Sequence, residues 1–271
     1  MTAPPPCLVG LPYDASSSFL RGSAQAPPLI RAALHSGAGN DWTESLINLG
    51  DEGVLADAGD LELPPDGSAR ALIEAGVAAV QATHRVIALG GDHSVSFPVL
   101  QAVNSRYAKP TILHFDAHAD LYDEFEGDRF SHACPFARIL EEGLASRLVQ
   151  VGIRTLTRHQ RDQADRFGVE IIDMQAWERG QRPTVVGPVY VSLDLDVLDP
   201  AYAPGVSHWE PGGLSTRDVI GVIQRIPSEI IGADIVEFNP MRDASGLTAI
   251  VAAKLVKELA GRMLRGPVDE H

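Results

Sequence analysis

Short runs of valine, isoleucine and leucine alternate with helical patterns along the whole chain, and this alternation limits the fold more than any other feature. CLVGL (7–11), SLINLG (45–50), RVIALG (85–90), TILHFD (111–116), LVQVGI (148–153), VEIID (169–173), VYVSLDLD (189–196) and GADIVEF (232–238) read as strands, and most are apolar nearly throughout. A strand without polar alternation has both faces covered, as in a parallel sheet. ARALIEAGVAAVQAT (69–83), with Ser68 as its cap, and LTAIVAAKLVKELAGRML (247–264) carry apolar residues at helical spacing. The expected class is α/β: a doubly wound, mostly parallel sheet with helices on both faces. No repeat or linker interrupts residues 1–271, which read as one domain; the prolines at 4–6 and 64–65 read as an N-terminal arm and a surface loop.

In such a sheet, ligands bind beyond the carboxyl ends of the strands. Polar clusters fall there four times. RVIALG runs into GGDHS with His93, TILHF into DAHAD (116–120), VYVSL into DLD (194–196), and GADIVEF carries Glu237 in EFNP. If strand geometry continues, Asp116, His118 and Asp120 share a side, and so do Asp194 and Asp196. Alone, each cluster reads better as a turn whose side chains bond to backbone, or as a strand end facing water, than as a metal site. Together, His93 and His118 with four carboxylates make an oxygen-rich, thiolate-free set suited to manganese or a similar divalent ion. Four negative charges balance two such ions.

Composition narrows the partner. A net charge of −14 argues against nucleic acid and against an anionic membrane, and suits a cationic ligand. With only Cys7 and Cys134 there is no disulfide framework and no CxxC zinc pair. The start, MTAPPPCLVG, lacks the charged and apolar regions of a secretory signal, and no apolar run is long enough to span a bilayer, so a cytoplasmic location is expected.

GGDHS, DAHAD, SLDLDVLDPAYAPGV (192–206) and EFNP, together and in this order, resemble the ureohydrolase family of arginases, agmatinases and their relatives. GLPYDASSSFLRGSAQAPPLIRAAL (10–34) resembles the family's opening segment; FEGDRFSHACPFARILEEG (125–143) and APGVSHWEPGGLSTRDVI (203–220) are most similar to its plant arginase branch. The resemblance implies a three-layer α/β/α, arginase-like fold, two Mn2+ ions per subunit and a homotrimer or homohexamer. It implies one ion on His93, Asp116, Asp120 and Asp194 and another on Asp116, His118, Asp194 and Asp196. Glu237 would hold the guanidinium of a small cationic substrate, Asp120 would take the nucleophile's proton, and His132 would shuttle protons. The products would be urea and an amine.

Arginine, agmatine and other guanidino compounds all remain open as substrates; electrostatics alone leans to agmatine, and the plant-type segments favour arginine. Segment 121–131 is the expected tail-binding loop; its Asp123, Glu124, Glu126 and Asp128 suit an ammonium group, and Arg129, Ser131 or backbone amides would meet a carboxylate. His114 reads as a packed strand histidine; His35, His84, His159, His208 and His271 read as surface or structural, Cys134 as a small packed residue, and Asp199 as a turn former. Asp92 is placed to support His93. A metallophosphoesterase would need a GNH[DE] motif that is missing, and a catalytically dead scaffold should have lost ligands that are all present.

Overall fold

Strands form where the apolar runs lie, with one exception. In the computed structural model, which describes residues 3–266, the strands are β1 (Pro6–Gly10), β2 (Ala56–Asp60), β3 (Arg85–Leu89), β4 (Thr111–Phe115), β5 (Arg147–Val151), β6 (Glu170–Ile172), β7 (Val189–Asp194) and β8 (Ile230–Val236). They form one sheet in the order β2-β1-β3-β8-β7-β4-β5-β6, and every neighbouring pair is parallel.

Because side chains alternate across a strand, each strand feeds two cores. Leu8, Ile87, Leu113 and Ile235 face one, beneath α1 (Ala26–Leu34), α6 (Met174–Glu178), α7 (Thr216–Arg225) and α8 (Leu247–Leu264). Val9, Val86, Ile112 and Ile231 face the other, beneath α2 (Ala69–Gln81), α3 (Ser96–Arg106), α4 (Pro135–Glu141) and α5 (Arg158–Phe167). The expected three-layer α/β/α fold is present. Among the described residues, no helix is long and apolar enough to cross a membrane.

The exception is SLINLG (45–50), which is not a strand. Leu46 takes a left-handed φ of 61° and is 79% exposed, and the segment makes only an isolated bridge between Trp42 and Asn48. Its Leu49 is buried as a loop residue packed on the core. One edge of the sheet is instead β2, ADAGD, which is largely exposed and so carries no apolar signature. The proline arm is partly sheet as well: Pro6 opens β1, and the Pro5 carbonyl accepts from Arg85 N–H at 2.9 Å. Ser68 precedes α2 without capping it; its hydroxyl donates to Asp66 at 2.6 Å. His271 lies outside the described residues.

Candidate active site

β3, β8, β7 and β4 are adjacent at the centre of the sheet, and the four polar clusters emerge from their carboxyl ends. His93 opens a 3-10 turn after β3, Asp194 ends β7, and a 3-10 turn at Leu195–Val197 brings Asp196 round beside it. Strand alternation is not what gathers them. β4 stops at Phe115, and DAHAD follows as an irregular loop in which Asp120 has a φ of 50°. Asp196 Oδ1 ties that loop to β7 by accepting from Ala117 N–H at 3.0 Å. Glu237, after β8, is also left-handed, with a φ of 63°. Such backbone conformations cost energy in non-glycine residues and persist where surrounding contacts enforce them. Nearby, Gly91 permits the close approach of two loops, since a Cβ there would collide with the carbonyl of Tyr13.

The protonation of His93 follows from its partners. Ser192 Oγ lies 2.7 Å from Asp234 Oδ1 and 3.0 Å from His93 Nε2. A carboxylate accepts, so the serine donates to Asp234 and accepts from the histidine, which puts a proton on Nε2. His93 Nδ1 then points at oxygens of Asp120, Asp116 and Asp194 at 3.0, 3.2 and 3.3 Å, with none placed to form a hydrogen bond to it. A buried ring nitrogen aimed between three carboxylates is the arrangement a cation would satisfy. His118 Nδ1 has a similar setting, 2.9 Å from Asp196 and 3.3 Å from Asp116. These donors fit two divalent ions in number, type and charge.

His114 is drawn into this set but not as a ligand. Its Nδ1 accepts from the Gln150 amide at 3.0 Å, so Nε2 carries the proton and donates to Asp116 at 2.8 Å. It is therefore a packed strand histidine that also fixes the central carboxylate. The expected support of His93 by Asp92 is absent: Asp92 accepts from Ser16 N–H, Ser17 and Ser94 instead. Ser192 and Asp234 fill that role, with Asp234 also accepting from Ser96 and Tyr190 at 2.8 and 2.7 Å.

Without metal, the cluster holds protons. Burial disfavours the cationic forms of His93 and His118, yet the surrounding carboxylates outweigh it and raise both well above the ordinary histidine value. Burial, then repulsion from Asp196 and Asp116, pushes Asp194 well above the carboxylate range. Asp116 goes the other way: burial raises it, but the imidazoles of His114, His118 and His93 beside it hold it well below.

Glu237 and His132 form the second half of the site. Glu237 Oε1 accepts from His132 Nδ1 at 2.8 Å and from His93 N–H at 2.9 Å. Both partners hold one carboxylate oxygen. His132 Nε2 meets Ser18 N–H at 3.1 Å and Ser18 Oγ at 2.8 Å. Burial opposes charge on His132, but Glu237 with Asp92 and Asp120 raises it to about 9. The two influences conflict, and the hydrogen bond decides in this arrangement. A backbone N–H can only donate, so Nε2 keeps its lone pair and Nδ1 its proton.

A cavity of about 220 Å³ opens over these groups. It is smaller than the roughly 300–1,000 Å³ of pockets for drug-sized ligands, and suits a molecule of amino-acid size. The acidic loop contributes less than its sequence suggests. Tyr122 and Phe125 line the cavity, while Asp123 pairs with His159 at 2.9 Å and Arg129 with Glu141 at 3.0 Å outside it. Thr155, Gln160, His208 and Glu210 line it instead. His208 is no surface residue: its ring lies 5.4 Å from that of His132 and 5.6 Å from that of His118. Cys134 is buried at the start of α4, where burial pushes its thiol up to about 12, and Asp199 shapes its turn by accepting from Ala201 and Gly212 N–H. A larger cavity, about 470 Å³, lies at the opposite end of the sheet between the segments before β7 and β8 and holds no cluster of ligating groups.

The model of the arginase family matches residues 5–261. The chain belongs to the arginase family. It is 47% identical to "Arginase 1, mitochondrial" of Arabidopsis thaliana, covering 94% of this chain and 80% of the relative. The structure of arginase from Medicago truncatula superposes with a TM-score of 0.93 at 46% identity, covering 96% of this chain and 88% of that one. An agmatinase of Bacillus cereus is more distant at 33% identity, over 93% of this chain and 89% of the relative. Membership in this family corrects one expectation. A cytoplasmic location does not stand against relatives named as mitochondrial enzymes, because lacking a secretory signal bears on the secretory route alone.

Proposed function

We propose that the protein is an arginase that hydrolyses L-arginine to L-ornithine and urea with two Mn2+ ions. The observation that carries this is the pairing of Glu237 with His132 directly beside the His93 and His118 carboxylate cluster, in a chain with this degree of likeness to arginases. His93, Asp116, Asp120 and Asp194 would hold one ion, and Asp116, His118, Asp194 and Asp196 the other, with Asp116 and Asp194 shared. When bound, such ions make water acidic enough to supply a nucleophile at neutral pH.

The chain's own groups do the rest. A guanidinium stays protonated and its carbon is a poor electrophile, so orientation matters. Glu237, with Oε1 pinned by His93 N–H and His132, offers Oε2 to the guanidinium and fixes where its carbon sits. Asp120 takes the proton of the nucleophile and delivers it to the departing amine. His132 exchanges protons with solvent through the Ser18 side of the cavity.

Agmatine is the second reading, favoured by one observation: among the described residues, no lysine or arginine lines the cavity to meet a carboxylate. Urea release from manganese-loaded protein, with arginine and agmatine side by side near pH 9, tests both. Turnover of arginine in preference to agmatine supports the first reading, the reverse supports the second, and turnover of neither rejects both. We further propose that residues 1–271 form one domain, since the core beneath α8 runs from Leu8 to Met263. Assembly into a homotrimer or homohexamer rests on the family resemblance, and light scattering of the purified protein tests it.

A further inference from the structure

The cavity over Glu237 contains five carboxylates and three imidazoles. Arginine brings an α-carboxylate into it; agmatine, otherwise the same molecule, does not. An anion in so acidic a space needs N–H or O–H donors, and most of those present are committed. Ser18 is bonded to His132 Nε2, and Thr155 donates to the Ala117 carbonyl at 3.1 Å. His208 lies against His118 and His132, at the guanidinium end.

Gln160 and Tyr122 remain. Gln160 is 3% exposed, and its Oε1 accepts from Thr157 N–H and Oγ1 at 3.1 and 3.2 Å in the capping box that starts α5. With Oε1 so held, the amide is oriented, and its Nε2 makes no hydrogen bond among the described residues while the side chain lines the cavity. The Tyr122 ring stacks on His159, the residue before Gln160, with 5.5 Å between ring centres and 10° between planes.

We propose that Gln160 Nε2, with the Tyr122 hydroxyl, receives the α-carboxylate of the substrate and makes the site choose arginine over agmatine. The inference rests on the arginase reading and assigns the specificity of that same site. Gln160 thereby has two functions: Oε1 caps a helix and Nε2 reads the substrate.

Gln160→Glu separates them. It keeps the oxygen that Thr157 needs and replaces the N–H donor with a second carboxylate oxygen. In manganese-loaded protein, the KM for arginine is expected to rise about tenfold or more, since hydrogen bonds to charged groups are worth that much. The kcat for arginine, the melting temperature and the KM for agmatine should stay near their wild-type values. Tyr122→Phe keeps the stacking and should raise the arginine KM alone, by a smaller factor. Binding without turnover gives a second readout: the thermal shift produced by L-ornithine should shrink in Gln160→Glu, and that produced by putrescine should not. Equal losses for both substrates, or no change for either, would overturn the proposal. Wild-type protein that releases no urea from arginine rejects the arginase reading itself, and this inference with it.

Discussion

Asp234 never touches His93, yet it decides which nitrogen of His93 carries a proton. Ser192 transmits the choice, donating to Asp234 at 2.7 Å and so accepting from His93 Nε2 at 3.0 Å. Nδ1 is thereby turned to the carboxylates with its lone pair available to an ion. Groups that orient a metal-binding histidine in this way are typically worth about 10–100-fold in affinity. Ser192→Ala and Asp234→Asn are expected to weaken manganese binding by a factor in that range. Calorimetric titration checks this, and unchanged affinity in both variants would mean the relay is only packing.

His132→Asn keeps a donor towards Glu237 but removes the group that exchanges protons. A positioned acid–base group contributes about 10²–10⁴-fold. We expect kcat for arginine to fall at least to the low end of that range, about 10²-fold, with KM changed far less and partial recovery on adding imidazole. A fall in KM-dependent terms alone, with kcat intact, would make His132 a binding residue.

Acidity and metal compete for the same nitrogens. In metal-free protein His93 and His118 have raised values, so the stability they contribute is fully present below the ordinary 6.5 and is lost as pH rises through the folded values. Asp194, also raised, adds a loss that begins above 3.8. Metal replaces these protons, and its binding therefore strengthens as pH rises. The stabilities of loaded and metal-free protein should diverge as pH rises above the ordinary 6.5, at up to roughly 1.4 kcal/mol per pH unit for each proton displaced. Parallel melting curves above that pH would contradict the assignment of these residues as ligands.

Arg154 is a structural cation beneath the site. Its guanidinium donates to the carbonyls of Gly152 at 3.1 Å, Asp196 at 2.7 Å and Glu210 at 2.8 Å, tying the loop of Asp196 to the loop of Glu210. Arg154→Met leaves buried carbonyls without donors and should cost about 3 kcal/mol. Urea unfolding of the metal-free protein measures this, and a loss below experimental error would show that water replaces the guanidinium.

The proposed ligands and Glu237 are legible in the sequence because their clusters follow apolar runs, where a parallel sheet presents its ligands, whereas His132 follows the polar stretch FEGDRFS and is marked only by the family resemblance. How they converge is not legible. The left-handed backbone at Asp120 and Glu237 and the 3-10 turn at Asp196 do the work assigned to strand alternation. Asp234 and Ser192 did leave a trace, as single polar residues inside VYVSLD and GADIVEF. A polar side chain in the middle of a buried strand must find a partner, and here the partners are each other. His208 sits on a loop whose path depends on tertiary contacts, and Gln160 lies in the first turn of α5, where its spacing from Thr157 marks a helix cap and nothing more. The edge strand was missed for a related reason: ADAGD borders solvent and needs no apolar pattern.

That same strand bears on how copies of the protein can meet. β2 presents Asp57 and Asp60 at the rim of the sheet, where both engage Arg31. An open strand edge is a template for another chain, and charge along it discourages such pairing. Subunits that joined through this edge would have to break those ion pairs and bury their charges, so this rim of the sheet ends inside its own subunit.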